Sequence, residues 1–306
     1  MNLWMVAALA ALASASSLPS RAAETLTVCL DEDIPLFSVH HGKDSSGFQL
    51  AVAEAVAKQL GRTLQVRWFE TKLDPDDSTV LGADALLSDG RCQLVAGYPL
   101  VRDALGKPGM PSARLPDFDG ATLADRRRRI PLGALVPSRA YHSEPLTIVL
   151  GATTTKPIAT LADLRGLRLG VEASTLGDAI LMLYDEGAYV RQITHFIPGR
   201  GDLLPHLEKG DFDATLIDLR RFDAWRAEHP ETTLRPSGYY YRISFNMGFV
   251  GLSTEGALIE QVNDALGKLL EKDEIAPLAK ANHLTYLPPT SPEILEHLTL
   301  ADLRQE

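Results

Sequence analysis

The side chains with the widest chemical range in this chain are two cysteines, Cys29 and Cys92, and eight histidines. Their spacing serves neither metal nor thiol catalysis. No CxxC, HExxH or Cys/His cluster occurs, so zinc and haem ligation have no pattern to rest on, and His195 and His206 lack metal-ligand spacing. A GxSxG elbow and a cysteine near a histidine are both missing, which removes the usual nucleophiles. Asp31, Glu32 and Asp33 could supply an acid and a base, yet three carboxylates after a strand read more simply as a solvated or cleft-rim loop. The expectation is a protein that is not an enzyme and holds no cofactor.

The elements that would position any site follow from the apolar spacing. TLTVCL alternates Leu26, Val28 and Leu30 as a strand does, and from Gly47 the period changes, with Phe48, Val52, Ala55, Val56 and Leu60 on one helical face ending at Gly61. TLQVRWFE reads as a second strand, Ala83 to Asp89 as a short helix, and CQLVAG as a third strand, giving βαβαβ over residues 25–97. The order returns from Leu167. LRLGVE is a strand, Ser174 or Thr175 caps a helix reaching about Glu186, RQITHFI is a strand, GDLLPHLEKG a short helix and FDATLID a third strand. Two such units imply an α/β protein of two βαβαβ-type lobes joined by two crossing strands. Pro145 to Gly151 would be the first crossing and Arg242 to Ser253 the return, followed by a helix burying Leu258, Val262, Ala265, Leu266, Leu269 and Leu270. A cleft between the lobes would lie at the carboxyl ends of their parallel strands, where open α/β sheets take ligands.

Met1 to Ala23 has the layout of a cleavable signal peptide, an apolar run from Leu3 to Ala13 followed by small residues, with cleavage expected after Ala22. The run falls short of the roughly 20 apolar residues that span a bilayer, so no membrane insertion is expected after its removal. A formal charge of −10 argues against nucleic acid or anionic lipid as partners. In an oxidising compartment, two lone cysteines on strands that should be neighbours are expected to form a Cys29–Cys92 disulfide; a Cα separation above about 7 Å would rule it out.

VCLDEDIPLF, the helix begun by Gly47 and Phe48, LLSDGRCQLVAG, PSRAYHSEPLTIVL, LRLGVEASTLGD, LEKGDFDATLID and NMGFVGLSTEGALIEQVNDALGKLL occur in one order over almost the whole chain after the signal. In that order they resemble the family 3 solute-binding proteins, which include the amino-acid receptors of bacterial ABC importers. Within the family, the paired cysteines and CQLVAGYPLV running on to SRAYHSEPLTIVL resemble the branch encoded beside periplasmic quinoprotein alcohol dehydrogenases. The resemblance implies type II periplasmic binding protein architecture, a small-molecule ligand and periplasmic location. It implies a membrane permease as partner in transport, or a periplasmic dehydrogenase in an accessory role. The lobes would be residues 23–147 plus 247–306, and residues 148–246, after a signal peptide at 1–22.

Carried over position by position, Thr175 sits where the receptors offer a hydroxyl and amides at a helix N-terminus to a ligand carboxylate, with Ser174 assisting; plain N-capping is the competing reading. Asp218 matches the acid that meets a ligand ammonium group, or else is a solvated or capping carboxylate. The first lobe departs from the pattern. Val101 stands where the receptors have a hydroxyl, and Arg102 and Arg139 are the only nearby arginines for a bidentate carboxylate clamp. Between them lies an insertion, about 103–135, containing the run Arg126 to Arg129, readable as a docking loop or lid or as a solvated excursion. Tyr239, Tyr240 and Tyr241 are expected to pack the hinge, since an extended segment cannot turn all three to one site.

With half of the carboxylate clamp missing, free α-amino acids are expected not to bind tightly, because an unpaired buried charge costs several kcal/mol. A thermal-shift screen of the twenty amino acids checks this. Ligand at 100 times its Kd would stabilise by about 2.7 kcal/mol, a shift of several degrees for a chain of this size, and none is expected.

Overall fold

The computed structural model describes residues 24–71 and 79–304; the expected signal peptide lies outside them. The chain opens with β1 (Thr25–Asp31), followed by a small antiparallel sheet of β2 (Asp33–Ile34), β3 (Ser38–His41) and β4 (Asp44–Ser46). Helix α1 (Phe48–Gln59) begins where that sheet ends. Its first amides are taken by the loop in front of it, Phe48 N–H by the carbonyl of Leu36 and Gln49 N–H by that of Phe37. So close a crossing requires Gly47. Its φ is 124° and a Cβ there would lie 2.3 Å from the carbonyl oxygen of Phe37.

β5 (Thr63–Glu70), α2 (Thr79–Ser88) and β6 (Leu94–Pro99) complete the first βαβαβ unit, with β1 pairing in parallel to both β5 and β6. Cys29 and Cys92 are joined, their Cα atoms 5.7 Å apart. The insertion is folded rather than a solvated excursion. It contains β7 (Ser112–Arg114), β8 (Asp117–Phe118), β9 (Arg129–Pro131) and β10 (Leu135–Pro137); β8 pairs with the edge of β5. Ala113, Leu115, Phe118 and Ile130 are buried in one cluster with α2 and the disulfide. Two of its arginines are held in ion pairs: Arg126 meets Asp117 at 2.5 Å, and Arg128 meets Asp89 at 2.7 Å.

β11 (His142–Leu150) then crosses to the second lobe, which contains β12 (Leu169–Glu172), α3 (Leu176–Leu183), β13 (Ile193–Phe196), α4 (Leu203–Glu208), β14 (Ala214–Asp218) and α5 (Leu219–Glu228). The return is β15 (Arg235–Leu252), an 18-residue strand that leads to α6 (Gly256–Glu271) and α7 (Ile275–Ala281). β11 and β15 pair antiparallel from His142↔Met247 to Leu150↔Arg235. The ladder slips between Pro145↔Ser244 and Thr147↔Tyr240, where proline has no N–H to donate and β15 bulges. The sheet order β13-β12-β14-β11-β15-β6-β1-β5-β8, with β10 on the other side of β15, contains the same plan twice. Each parallel three-strand unit abuts a strand arriving from the other lobe, as in type II binding proteins. The three tyrosines lie within β15 itself; Tyr241 is buried in the second lobe's core and Tyr240 is 41% exposed.

Beyond α7 the tail touches both lobes. Thr285 donates its N–H and hydroxyl to Asp223 of α5, at 2.7 and 2.9 Å. Asn246 of β15 binds Thr290, Pro292 and Glu293. Leu295 pairs with Leu100 and Arg102 of the first lobe. Leu298 and Leu303 then pack on the second lobe's core, where α8 (Leu300–Leu303) lies against α3.

One buried acid in the first lobe sets a pH dependence. Asp84 of α2 is 4% exposed and burial pushes its carboxyl up to about 7. The Tyr98 hydroxyl lies 3.1 Å from both Asp84 and the carbonyl of Ala104. It has one proton, so both contacts are served only when Asp84 is protonated and donates. Because the folded value exceeds the unfolded one of 3.8, this stability is present below that value and lost as pH rises through about 7. The linkage amounts to at most about 4 kcal/mol. Asp84→Asn, which keeps a donor towards Tyr98, is expected to flatten the melting-temperature profile between pH 5 and 8 and to raise the melting temperature at pH 8.

Candidate inter-lobe ligand site

The carboxyl ends of β12 and β14 stop beside β11, and a cavity of about 70 Å³ opens there, lined by Leu146, Glu172, Thr175, Leu176, Gly177, Leu216, Ile217, Asp218 and Arg221. Thr175 and Asp218, far apart in sequence, share it because they end adjacent positions of one sheet. Gly177 lets α3 press against β14: a Cβ there would lie 2.2 Å from the carbonyl oxygen of Leu216.

Thr175 is the N-cap of α3. Its hydroxyl accepts from the Asp178 N–H at 3.2 Å and donates to the carbonyl of Glu172 at 2.8 Å. Ser174 holds a left-handed φ of 63°, and its N–H donates to the Asp178 carboxylate at 2.8 Å. The other oxygen of that carboxylate lies 3.0 Å from His195 Nε2. The helix start therefore already holds a carboxylate of the chain's own. Asp218 stands at the N-cap position of α5 yet makes no capping hydrogen bond, so its carboxylate is left for the cavity. Neither expected arginine lines this cavity. Arg102 is paired with Glu296 at 2.9 Å on the surface, and Arg139 lies across α6, its Nη1 2.6 Å from where a Cβ on Gly267 would be.

The sequence reading missed two ion pairs, Glu172–Arg221 on the cavity wall and Glu144–Arg220 beside it. Arg221 grips Glu172 with both terminal nitrogens at 2.7 Å, and Glu172 is 5% exposed. Arg220 Nε donates to Glu144 of β11 at 2.8 Å, and the guanidinium sits 5.0 Å from the ring centre of Phe37 in the first lobe. Burial pushes the Glu144 carboxyl upward and Arg220 opposes the shift, while Asp218 adds to it. A glutamate leading into the mostly apolar run PLTIVL was the available signal, since a buried charge demands a partner. Strand alternation puts His142, Glu144 and Leu146 on one face of β11. His142 is enclosed by Phe37, Phe48 and Tyr286, and burial lowers its ring to about 4.

Solved structures similar to this chain share its fold. The L-cystine solute receptor of Neisseria gonorrhoeae, in its unliganded open conformation, superposes with a TM-score of 0.61 at 17% identity over 87% of this chain and 96% of its own. The second substrate-binding domain of a putative amino-acid ABC transporter from Streptococcus pneumoniae gives 0.60 at 16% over 85% and 100%. Substrate-binding domain 2 of GlnP from Lactococcus lactis gives 0.59 at 17% over 87% and 97%. No family model and no curated protein matches the chain. The fold is the one that these solute receptors and substrate-binding domains share.

Two substitutions separate structural from ligand-directed roles. Thr175→Ala is expected to cost about 1 kcal/mol through loss of the cap, with Thr175→Ser close to neutral, measured by urea unfolding. Glu172→Gln, which leaves Arg221 without its counter-charge, is expected to cost about 2 kcal/mol, below the 3–5 typical of wholly buried pairs because Arg221 is partly exposed.

Proposed function

We propose that this chain is an exported, non-catalytic receptor that captures a small solute between its lobes, in the periplasm, for uptake by an ABC-type permease. The observation that carries the reading is the cavity at the carboxyl ends of β12 and β14, where the unengaged Asp218 carboxylate and the N-terminus of α3 converge on a two-lobed binding-protein fold. The proposal includes cleavage of residues 1–22 and division into residues 23–147 plus 247–306 and residues 148–246, with the tail bridging the two. Asp218 is the proposed ligand contact, with Thr175 and Ser174 shaping the same wall; Arg102 and Arg139 are not part of it. Nothing in the geometry favours a dehydrogenase partner over a permease, so the accessory role is not taken further.

The lobe-2 wall offers about 70 Å³, far below the roughly 300–1,000 Å³ of complete small-molecule pockets, so closure of the first lobe supplies the remainder. Native mass spectrometry of protein purified from its exporting host tests the reading. A small molecule retained at one per chain is expected, lost in Asp218→Ala while the unfolding free energy of ligand-free protein changes by less than about 1 kcal/mol. Retention of the molecule by the variant, or its release only on loss of fold, would overturn the assignment.

A further inference from the structure

The charges on the cavity wall do not balance. Glu172 and Asp218 line it with a single guanidinium, Arg221, which is spent on Glu172 at 2.7 Å through both nitrogens; Arg220, beside it, is spent on Glu144 at 2.8 Å. Asp218 is left over. Among the described residues its carboxylate has no hydrogen bond or ion pair, although it lines the cavity from a strand position opposite Leu146. We propose that the cleft takes an organic cation that carries no carboxylate, an amine or guanidinium compound, with Asp218 as its counter-ion. The proposal rests on the reading of this cavity as the ligand site and specifies its ligand class.

Three further observations point the same way. The first is what a ligand carboxylate would meet. At the start of α3 it would find the Asp178 carboxylate already accepting from the Ser174 amide, and like charges at this spacing repel. It would find no uncommitted arginine, since Arg221 on the wall is gripped by Glu172, Arg220 is held by Glu144, Arg102 is tied to Glu296 and Arg139 lies on α6. An amino acid would therefore bring one group that Asp218 welcomes and one that nothing neutralises, and the desolvation cost of the second is not recovered.

The second observation is on the first lobe. β1 ends in Asp31, 7% exposed, which accepts from the Thr71 hydroxyl and the Asp33 amide and has Asp33 and Glu70 as acidic neighbours. Burial and those neighbours raise its affinity for a proton, and a ligand cation would relieve the same strain. The carboxyl end of β1, the end that open α/β sheets turn to a ligand, thus also carries acidic groups.

The third is that the protein already seats a cation between its lobes. The Arg220 guanidinium lies over the Phe37 ring at 5.0 Å with a carboxylate, Glu144, at its edge. An aromatic face plus a buried carboxylate is the environment that recognises alkylammonium and guanidinium groups. Here it is filled by a side chain of the protein itself, two residues along the chain from the unengaged Asp218.

Matched pairs that differ only by a carboxylate test the proposal: agmatine against arginine, cadaverine against lysine, phenethylamine against phenylalanine, titrated calorimetrically at pH 7 into the purified protein. At least one decarboxylated member is expected to bind ten times or more tighter than its parent, and Asp218→Asn to weaken it tenfold or more. Equal or tighter binding of the parent amino acid, no binding by any of the amines, or amine binding indifferent to Asp218→Asn would overturn it. Leu176→Trp, which fills the cavity from the α3 side, separates this failure from failure of the site itself. A neutral sugar or a dicarboxylate that binds the native protein but not Leu176→Trp overturns the cation and keeps the cleft. A ligand of any class that binds Leu176→Trp unchanged overturns both.

Discussion

The antiparallel ladder between β11 and β15 is the constraint on which the rest of the structure depends. Each strand ends one lobe and begins the other, so the two sheets are held in one hydrogen-bonded frame. Leu146 enters the cavity because β11 runs beside β14 in register Leu146↔Asp218, and Glu144, two residues earlier on the same face, comes within reach of Arg220. Asn246 can anchor the tail because it stands opposite Ser143 on the partner strand. The bulge opposite Leu146 falls where Pro145 withholds a donor, so the ladder is weakest where the two lobes meet.

Around that frame the protein buries charge, and does so in pairs. Glu144, Glu172 and Asp223 are all under 9% exposed, and each is met by an arginine or by donors from a distant segment. Such pairs add little net stability, because desolvation offsets most of the attraction, but they are costly to break and so fix geometry. A wall assembled from them resists rearrangement, and the proposed reading leaves recognition to Asp218, the carboxylate of that wall without a partner among the described residues.

The fold was legible where the sequence repeats itself. Alternation in TLTVCL and LRLGVE, glycines at helix ends and two cysteines on adjacent strands each carry local information, and local information suffices for βαβαβ units. Thr175 and Asp218 could be brought to one place because strand ends in such units converge. The pairs Glu172–Arg221 and Glu144–Arg220 could not, since nothing in periodicity says which of many arginines meets which acid. The insertion misled for a related reason: proline, glycine and charge dominate its composition, while six buried apolar residues at irregular spacing dock it. Arg102 and Arg139 were named from chain proximity, and their actual partners, Glu296 and α6, come from the end of the chain.

The tail changes the mechanics of the molecule. Two adjacent strands make a door hinge, free to swing about one line, but the chain from Thr285 to Leu303 adds a third link whose anchors lie off that line. It holds α5, then the first lobe at Leu295, then the second lobe's core at Leu303. Any swing that alters the distance between these anchors must stretch or slide the link, and under the function proposed above that work comes out of the free energy of ligand capture. On that reading, affinity is tuned in part by residues that never approach the solute.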